Sequence, residues 1–408
     1  MSESVECSEL PEELLRPIGK GLDTRIDILR FRGVCKSWRS AISSSDFIPR
    51  FPLNFPNPFP PPRRRRRLGW LAISHDEADH LHQQTICLLH ETIFYRLTIS
   101  ASSDKGWLIK VEDCKMHLLD PHRERYESES DSPNILPNNF VLLDYDTVEL
   151  TRAHTLEIQS LIRIGRVNKV VMFNDCHVFV VYSDGKLGHA KCGDESLTCL
   201  GEKGMEFDDV IVSEGQVYVV DRFGIGWWIK INDSTLDLVK FWNPCGSDSL
   251  KTQKHLVESD GTIYIVERYL DREWRGRHYF CVVGFKVYKK NEWGEWVLEE
   301  SLGDRAFILR SDCSLSVSTR EFFGYEANCI YFTQQNRIHV FKLENNSITN
   351  ADLKEDKVYN QTAFSRQAEK LPPSNIFGHF VQTIFHKPSA CYVIEDLFSK
   401  GGKDDFWL

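Results

Sequence analysis

From Leu68 to Leu408 the chain is a succession of short apolar runs rich in Val, Ile, Tyr and Phe, each ended by a polar or glycine-bearing turn, with no long helical periodicity between them. His177–Gly188 (HVFVVYSDGKLG), Gln216–Ile229 (QVYVVDRFGIGWWI), Gly261–Arg268 (GTIYIVER) and Cys329–Phe341 (CIYFTQQNRIHVF) share one plan. In each, an apolar strand meets a polar turn, and a second strand often follows. That is the chemistry of β-hairpins. Val178, Val217 and Ile263 recur at about the 40–45-residue period of a propeller blade. The longer step to Ile330 places an insertion around the charged stretch Asp271 to His278. Sheets repeated around an axis protect their own edges, so a propeller satisfies this pattern better than a pair of irregular β-sandwiches, the alternative architecture. The expected fold is mainly β with a small N-terminal α module, the β-propeller-like domain having six or seven irregular blades over residues 68–408. Neither a Trp-Asp nor a double-glycine signature recurs at a regular interval.

Residues 5–45 read differently. Pro11 suits the first position of a helix, and Glu12 and Glu13 place negative charge in its first turn. Leu14, Ile18 and Leu22 recur every four residues beside Leu15, an apolar stripe. Thr24 is placed to cap a second helix with Asp27 as its capping-box partner. Along that helix Ile28, Phe31, Val34, Cys35, Trp38 and Ile42 fall on one face. A helical hairpin this small buries too little to be secure alone, so it must dock either on its own chain or on a partner. Pro17 inside the first helix and Gly33 inside the second both lower helix propensity.

The order Leu10-Pro11, Glu13-Leu14-Leu15, Ile18, then Ile28-Leu29-x-Phe31, Val34-Cys35 and Trp38 resembles an F-box. The resemblance implies that Leu10, Pro11, Leu14, Leu15, Ile18, Val34, Cys35 and Trp38 pack partly on each other and partly on a Skp-type adaptor, and through it reach a cullin. Pro17 and Gly33 depart from the family pattern. Farther along, Lys105–Ile109 (KGWLI), Leu118–Pro121 (LLDP), Gly284–Tyr288 (GFKVY), Ser301–Phe307 (SLGDRAF) and Asn328–Thr333 (NCIYFT) resemble the plant-specific domain that follows many plant F-boxes. Its Leu-Asp-Pro turn replaces the family's usual Leu-Asn-Pro. Together these resemblances imply a non-catalytic substrate-receptor subunit of a Skp–cullin–F-box ubiquitin ligase, presenting target proteins for ubiquitination and proteasomal degradation. The alternative is a non-degradative scaffold whose F-box is weakened.

Between these regions, residues 46–67 form a Pro-rich linker. Its prolines are expected to exclude helix and ladder alike, leaving a semi-rigid spacer whose Phe47, Phe51, Phe55 and Phe59 pack on the following domain. Arg63, Arg64, Arg65, Arg66 and Arg67 form a basic run that is a nuclear-import candidate or a solvated cluster. Residence in nucleus, cytoplasm or both is expected, in a soluble intracellular protein. No apolar stretch resembles a signal peptide or membrane span, so no membrane partner is expected and the sequons at Asn232, Asn345 and Asn360 are idle. A net charge of −9 argues against direct nucleic-acid binding. The 12 cysteines include no Cys-x-x-Cys pair, which fits buried thiols in a reducing compartment.

Chemistry of the chain's own is sparse. Nucleophile-elbow, phosphate-loop, dinucleotide and zinc-protease motifs are all missing from the sequence, so neither a cofactor nor a metal is expected. His75, Asp76, Glu77, Asp79, His80, His82 and His90 lack fixed ligand spacing and read as a solvated loop, and Cys192 and Cys199 with His177 and His189 have a spacing that is not diagnostic of a metal site. Asp144, Asp146 and Glu149 are the carboxylates a propeller glycosidase would need, which is the enzyme alternative. Trp227, Trp228, Trp293 and Trp296 are expected mostly in blade packing rather than ligand stacking.

Overall fold

The computed structural model describes residues 10–22, 24–42, 52–55, 85–99, 104–112, 115–121, 142, 145–159, 167–191, 193–194, 197–232, 235–242, 252–274, 278–291, 293, 295–334 and 337–351. Helix α1 (Glu12–Lys20) begins one residue later than expected, because Pro11 takes the N-cap position (φ −58°, ψ 146°). Pro17 stays within α1, and its carbonyl still accepts the Gly21 N–H at 3.1 Å. Thr24 caps α2 (Arg25–Val34) as expected: its Oγ1 accepts the Asp27 N–H at 3.2 Å and donates to Asp27 Oδ2 at 2.6 Å. The expected continuous face to Ile42 is split, because Cys35 is fully extended (φ −160°, ψ −179°) and separates α2 from α3 (Lys36–Ala41). Gly33 and Val34 are weak helix formers beside this break. The turn it creates brings Phe31 against Trp38, ring centroids 4.6 Å apart, in a core with Leu15, Leu22, Ile28, Ala41 and Ile42.

The linker does pair. β1 (Pro52–Phe55) runs antiparallel to β2 (Thr85–Ile99), from Pro52 opposite Leu88 to Phe55 opposite Thr85. This corrects the expectation that its prolines exclude a ladder. Only Pro52 lies in the strand, at its first position, where a missing N–H is tolerated. β1 also covers the end of β2 that β3 (Trp107–Glu112) leaves free, since β3 pairs only with Thr92–Leu97.

The remaining strands are β4 (Lys115–Leu118), β5 (Tyr145–Gln159), β6 (Val167–Phe173), β7 (His177–Tyr182), β8 (Leu187–Lys191), β9 (Thr198–Leu200), β10 (Phe207–Ser213), β11 (Gln216–Asp221), β12 (Gly226–Ile231), β13 (Leu236–Lys240), β14 (Thr252–Ser259), β15 (Thr262–Trp274), β16 (His278–Lys290), β17 (Trp296–Glu299), β18 (Arg305–Leu309), β19 (Ser314–Ser318), β20 (Cys329–Gln334), β21 (Arg337–Lys342) and β22 (Ser347–Asn350). Sheets β10 to β13 and β14 to β17 are four-stranded meanders, and the last sheet runs β19-β18-β20-β21-β22. The nine-stranded first sheet divides where β5 and β6 share only the pair His154 and Val170. Among the described residues the strands therefore form five blades, with β5, β6, β10, β14 and β19 innermost around a central axis. Residues 352–408, over which the expected blade count also extended, lie outside the described residues.

Three successive inner hairpins turn on the same chemistry. Asn174-Asp175, Glu214-Gly215 and Asp260-Gly261 all have positive φ, between 48° and 72°. Paired positive φ matches the twist of two-residue hairpins and favours Asn, Asp and Gly. The ring closes between first and last blades. Gly106 donates its N–H to the Glu321 carbonyl at 2.7 Å and accepts from Phe323 N–H at 2.9 Å. Phe94, Leu108, Leu119 and Ala153 share one core there with Ala306, Ile308, Leu315 and Tyr331.

The helical module rests on the first blade. Ile26 enters the core of Ile93, Tyr95, Leu97 and Trp107, while Arg25 Nε reaches Glu91 Oε2 at 3.0 Å and Arg30 Nη2 reaches the Tyr145 carbonyl at 2.9 Å. Burying Ile26 contributes about 2 kcal/mol by apolar transfer. Among the described residues no helix is long and apolar enough to cross a membrane.

Blade edges are as closely packed as this dock. A Cβ on Gly226 would stand 1.7 Å from Cε3 of the buried Trp242, whereas one on Gly284 meets nothing within 4 Å. Gly226→Ala should therefore destabilise the chain by about 1–3 kcal/mol, and Gly284→Ala should not. Urea unfolding of the two variants side by side checks this, and equal midpoints would refute the packing account.

Candidate functional site

Two surfaces offer themselves: the outer face of the helical module and the axial channel. On the first, Pro11 is exposed, Leu14 is 39% exposed, and Leu10, Ile18, Val34 and Cys35 are half-buried against the helical core. Leu15 and Trp38 are 1% and 3% exposed. They pack on the rest of the helical core and hold the patch from beneath, the part of their expected packing that lies within the chain. The patch that remains is apolar, lies on short helices, and suits another protein's apolar surface.

The channel has two mouths because the inner strands run in register. Toward their hairpin turns, a cavity of about 380 Å³ is lined by Arg152 and His154 on β5, Asp175, Ile211, Glu258, and Asp312 to Ser316. Toward the strand beginnings, a cavity of about 570 Å³ is lined by Asn168, Lys169, Asp208, Asp209, Gln253, His255, Arg268, Arg310 and Ser314, among others.

Charges inside are mostly matched. Lys169 Nζ sits 2.8 Å from Asp209 Oδ1 and 3.0 Å from Oδ2, and the same carboxylate accepts the Val210 and Leu256 N–H groups at 2.8 Å each. One ion pair thus ties β6, β10 and β14 together. Deeper in the fourth blade, Lys254 and Glu267 are fully buried 3.6 Å apart. Lys254 Nζ also donates to the Arg222 carbonyl at 2.6 Å, and Glu267 Oε2 accepts from Tyr269 at 2.6 Å. Such satisfaction is what makes buried charge tolerable. Asp208 is less well placed: burial pushes its carboxyl up to about 6, although it accepts the Lys254 N–H at 2.9 Å.

Sequence reasoning passed over these channel residues. A repeating signal was nonetheless there, since Asn168-Lys169, Asp208-Asp209 and Lys254-His255 each precede an apolar run at the same distance from the next hairpin turn.

The catalytic and metal alternatives fare differently. Glu149 is ion-paired to Arg152 at 2.7 Å, Asp146 is exposed, and Asp144 lies outside the described residues. His177 Nδ1 and His189 Nε2 are 2.9 Å apart on β7 and β8, and burial pushes His189 down to about 4. Cys199 is exposed, while Cys192 lies outside the described residues, as do His75, Asp76, Glu77, Asp79, His80, His82 and the run Arg63 to Arg67. His90 is half-buried on β2. Among the described residues no three His, Cys, Asp or Glu groups gather as a metal site. Trp227 and Trp228 are half-buried, Trp296 meets Trp242 edge-on at 5.2 Å, and Trp293 is 82% exposed.

Comparison with known proteins places both halves. Residues 7–50 match the F-box domain and residues 74–360 match the KIB1-4 beta-propeller. F-box protein At4g35733 of Arabidopsis thaliana is 32% identical, the match covering 86% of this chain and 95% of that one. F-box protein At2g26160 of the same plant is 30% identical over 84% and 99%. F-box protein SKIP23, also from Arabidopsis thaliana, is 29% identical over 78% and 81%.

The raised Asp208 carboxyl has a signed consequence. The folded chain binds this proton up to about pH 6 while the ordinary value is 3.8, so Asp208 lends stability at low pH that is lost as pH rises through 6. Asp208→Asn keeps an acceptor for Lys254 N–H and carries no charge. It should match wild type near pH 4 and exceed it at pH 7.5 by at most about 3 kcal/mol. Urea unfolding at both pH values measures this, and a gap independent of pH would sink the explanation.

Proposed function

Because the chain belongs to the plant F-box proteins that carry a KIB1-4 beta-propeller, we propose that it is a substrate receptor of a Skp–cullin–F-box ubiquitin ligase. The helical patch binds the Skp-type adaptor, the propeller holds a target protein, and ubiquitin is transferred by other subunits to mark that target for degradation. On this reading the chain is non-catalytic, and it works in the nucleus, the cytoplasm or both, with Arg63 to Arg67 as the import signal.

The observation that carries the reading is the pairing of two surfaces on one chain. Leu14 stands exposed on a short apolar patch, with Leu10, Ile18, Val34 and Cys35 around it. α2 is meanwhile anchored to the first blade through Ile26 and the Arg25–Glu91 ion pair. A receptor needs this arrangement, since the distance from adaptor to target must suit ubiquitin transfer. A scaffold with a weakened F-box remains the second reading, supported by Pro17 in the middle of α1.

Leu14 is the residue to test, because Ile18 also packs on the helical core and its loss would confuse folding with binding. Leu14→Asp puts a charge into the apolar interface at a cost of about 2 kcal/mol or more. Capture of a plant Skp adaptor by the purified chain should fall at least tenfold in this variant, with the circular dichroism unchanged. Wild-type chain that captures no adaptor would leave the scaffold reading, and capture indifferent to Leu14→Asp would remove the helical patch from the interface.

A further inference from the structure

At the wider mouth of the axial channel one cation has no acid paired with it among the described residues. Arg268 on β15 donates from Nη2 to the Thr333 carbonyl at 3.4 Å and lies over the Phe332 ring, 5.6 Å from its centroid. Among the described residues no carboxylate pairs with it, its Nε is buried without a partner, and burial alone lowers its pKa to about 10. Two other polar atoms on the same cavity wall, His255 Nε2 and Ser314 Oγ, are likewise buried and unpartnered. The remaining charges at this mouth are engaged: Lys169 with Asp209, and Arg310 with Asp312 at 3.1 Å. Asp208 is already bonded to the Lys254 N–H.

Arg268 is half-buried, and holding much of a guanidinium away from water without a counter-charge is costly, which natural folds offset by pairing it. Among the described residues no carboxylate supplies that pairing, and the cavity beside Arg268 holds about 570 Å³. That space falls within the range of small-ligand sites. The planar fork of arginine matches the oxygens of phosphate, with an imidazole and a hydroxyl at its flanks to take further hydrogen bonds. We propose that the Arg268 mouth of the channel binds a phosphate-bearing ligand, with Arg268 as the anchoring cation and His255 and Ser314 as flanking polar groups. A free small phosphate compound and a phosphorylated side chain of a bound protein present the same chemistry. The site is independent of adaptor binding, so its failure leaves the role of Leu14 untouched.

The test is titration calorimetry of the full-length chain at fixed ionic strength in chloride buffer, with inorganic phosphate, pyrophosphate and a phosphoserine peptide beside its unphosphorylated form. Arg268→Met preserves length and the contact with Phe332 while removing the charge. Wild type should bind at least one phosphate probe, and Arg268→Met should bind it at least tenfold more weakly. Without ligand the variant should melt no lower than wild type, since it loses an unbalanced cation rather than a packing group. Preference for the phosphoserine peptide over inorganic phosphate and pyrophosphate assigns the phosphate to a bound protein, and the reverse preference assigns it to a small molecule. No binding of any probe at about 10 mM, a limit near −3 kcal/mol, overturns the proposal. So does equal binding by wild type and Arg268→Met, or a variant that folds but melts several degrees lower. Should Arg268→Met fail to fold, Arg268→Lys keeps the charge and loses the fork: a tenfold weaker phosphate affinity supports the site, and unchanged affinity overturns it.

Discussion

The backbone contact between Gly106 and the segment Glu321 to Phe323 joins the two ends of the blade ring. A chain that winds around an axis has no covalent closure, so the first and last blades must find each other across a long loop of sequence. A Cβ at Gly106 would lie 2.6 Å from the Leu97 carbonyl oxygen of the same blade, so glycine is what fits between β2 and the seam. Around that point Trp107 lies against Phe323 with centroids 5.0 Å apart, and Arg96 reaches Glu321 at 2.7 Å. Tyr325 donates to the Leu119 carbonyl at 3.3 Å, and Asn328 Oδ1 accepts the Leu302 N–H at 2.9 Å. The segments KGWLI, LLDP, SLGDRAF and NCIYFT, which carry the likeness to the plant domain, gather at or beside this seam. What they encode in the structure is closure of the ring.

Inside the ring a second constraint operates. Each inner strand must be apolar enough to pack between its neighbours, yet its beginning faces a channel wide enough to admit water. The polar dyads at Lys169, Asp209 and Lys254 answer this by placing charge where the wedge between blades opens. Lys169 and Asp209 then satisfy each other and two backbone N–H groups, so β6, β10 and β14 are held in register by electrostatics as well as by Val170, Val210 and Leu256. Arg268, on β15 beside the innermost strand of the same fourth blade, stands outside this balance, since among the described residues no carboxylate pairs with it.

The N-terminal helices join the two themes. Their core of Leu15, Phe31 and Trp38 is too small to stand alone with confidence of folding, and Ile26 supplements it by entering the first blade's core. One face of α2 is thus spent on the propeller, which leaves the α1 side, around Leu14, for a partner. Of the two docking options left open by spacing alone, the structure shows the one on the chain's own first blade.

The sequence by itself determined the local elements: the Thr24 cap, the helical stripe, the hairpin turns at Asp260-Gly261 and its counterparts, and the β-rich repeat that made a propeller the economical fold. These follow from interactions between residues a few positions apart, which spacing and turn chemistry record directly. The family likeness was legible for the same reason, as ordered short segments. Only the tertiary structure decided that Pro52–Phe55 joins β2, that Cys35 breaks the second helix, that Leu15 and Trp38 lie inside the helical core while Leu14 remains outside, and that Lys169 meets Asp209 while Arg268 meets no acid among the described residues. The strand pairing, the helical burial and the ion pair all bring together residues from separate elements, and pairwise contact between elements leaves no period to read.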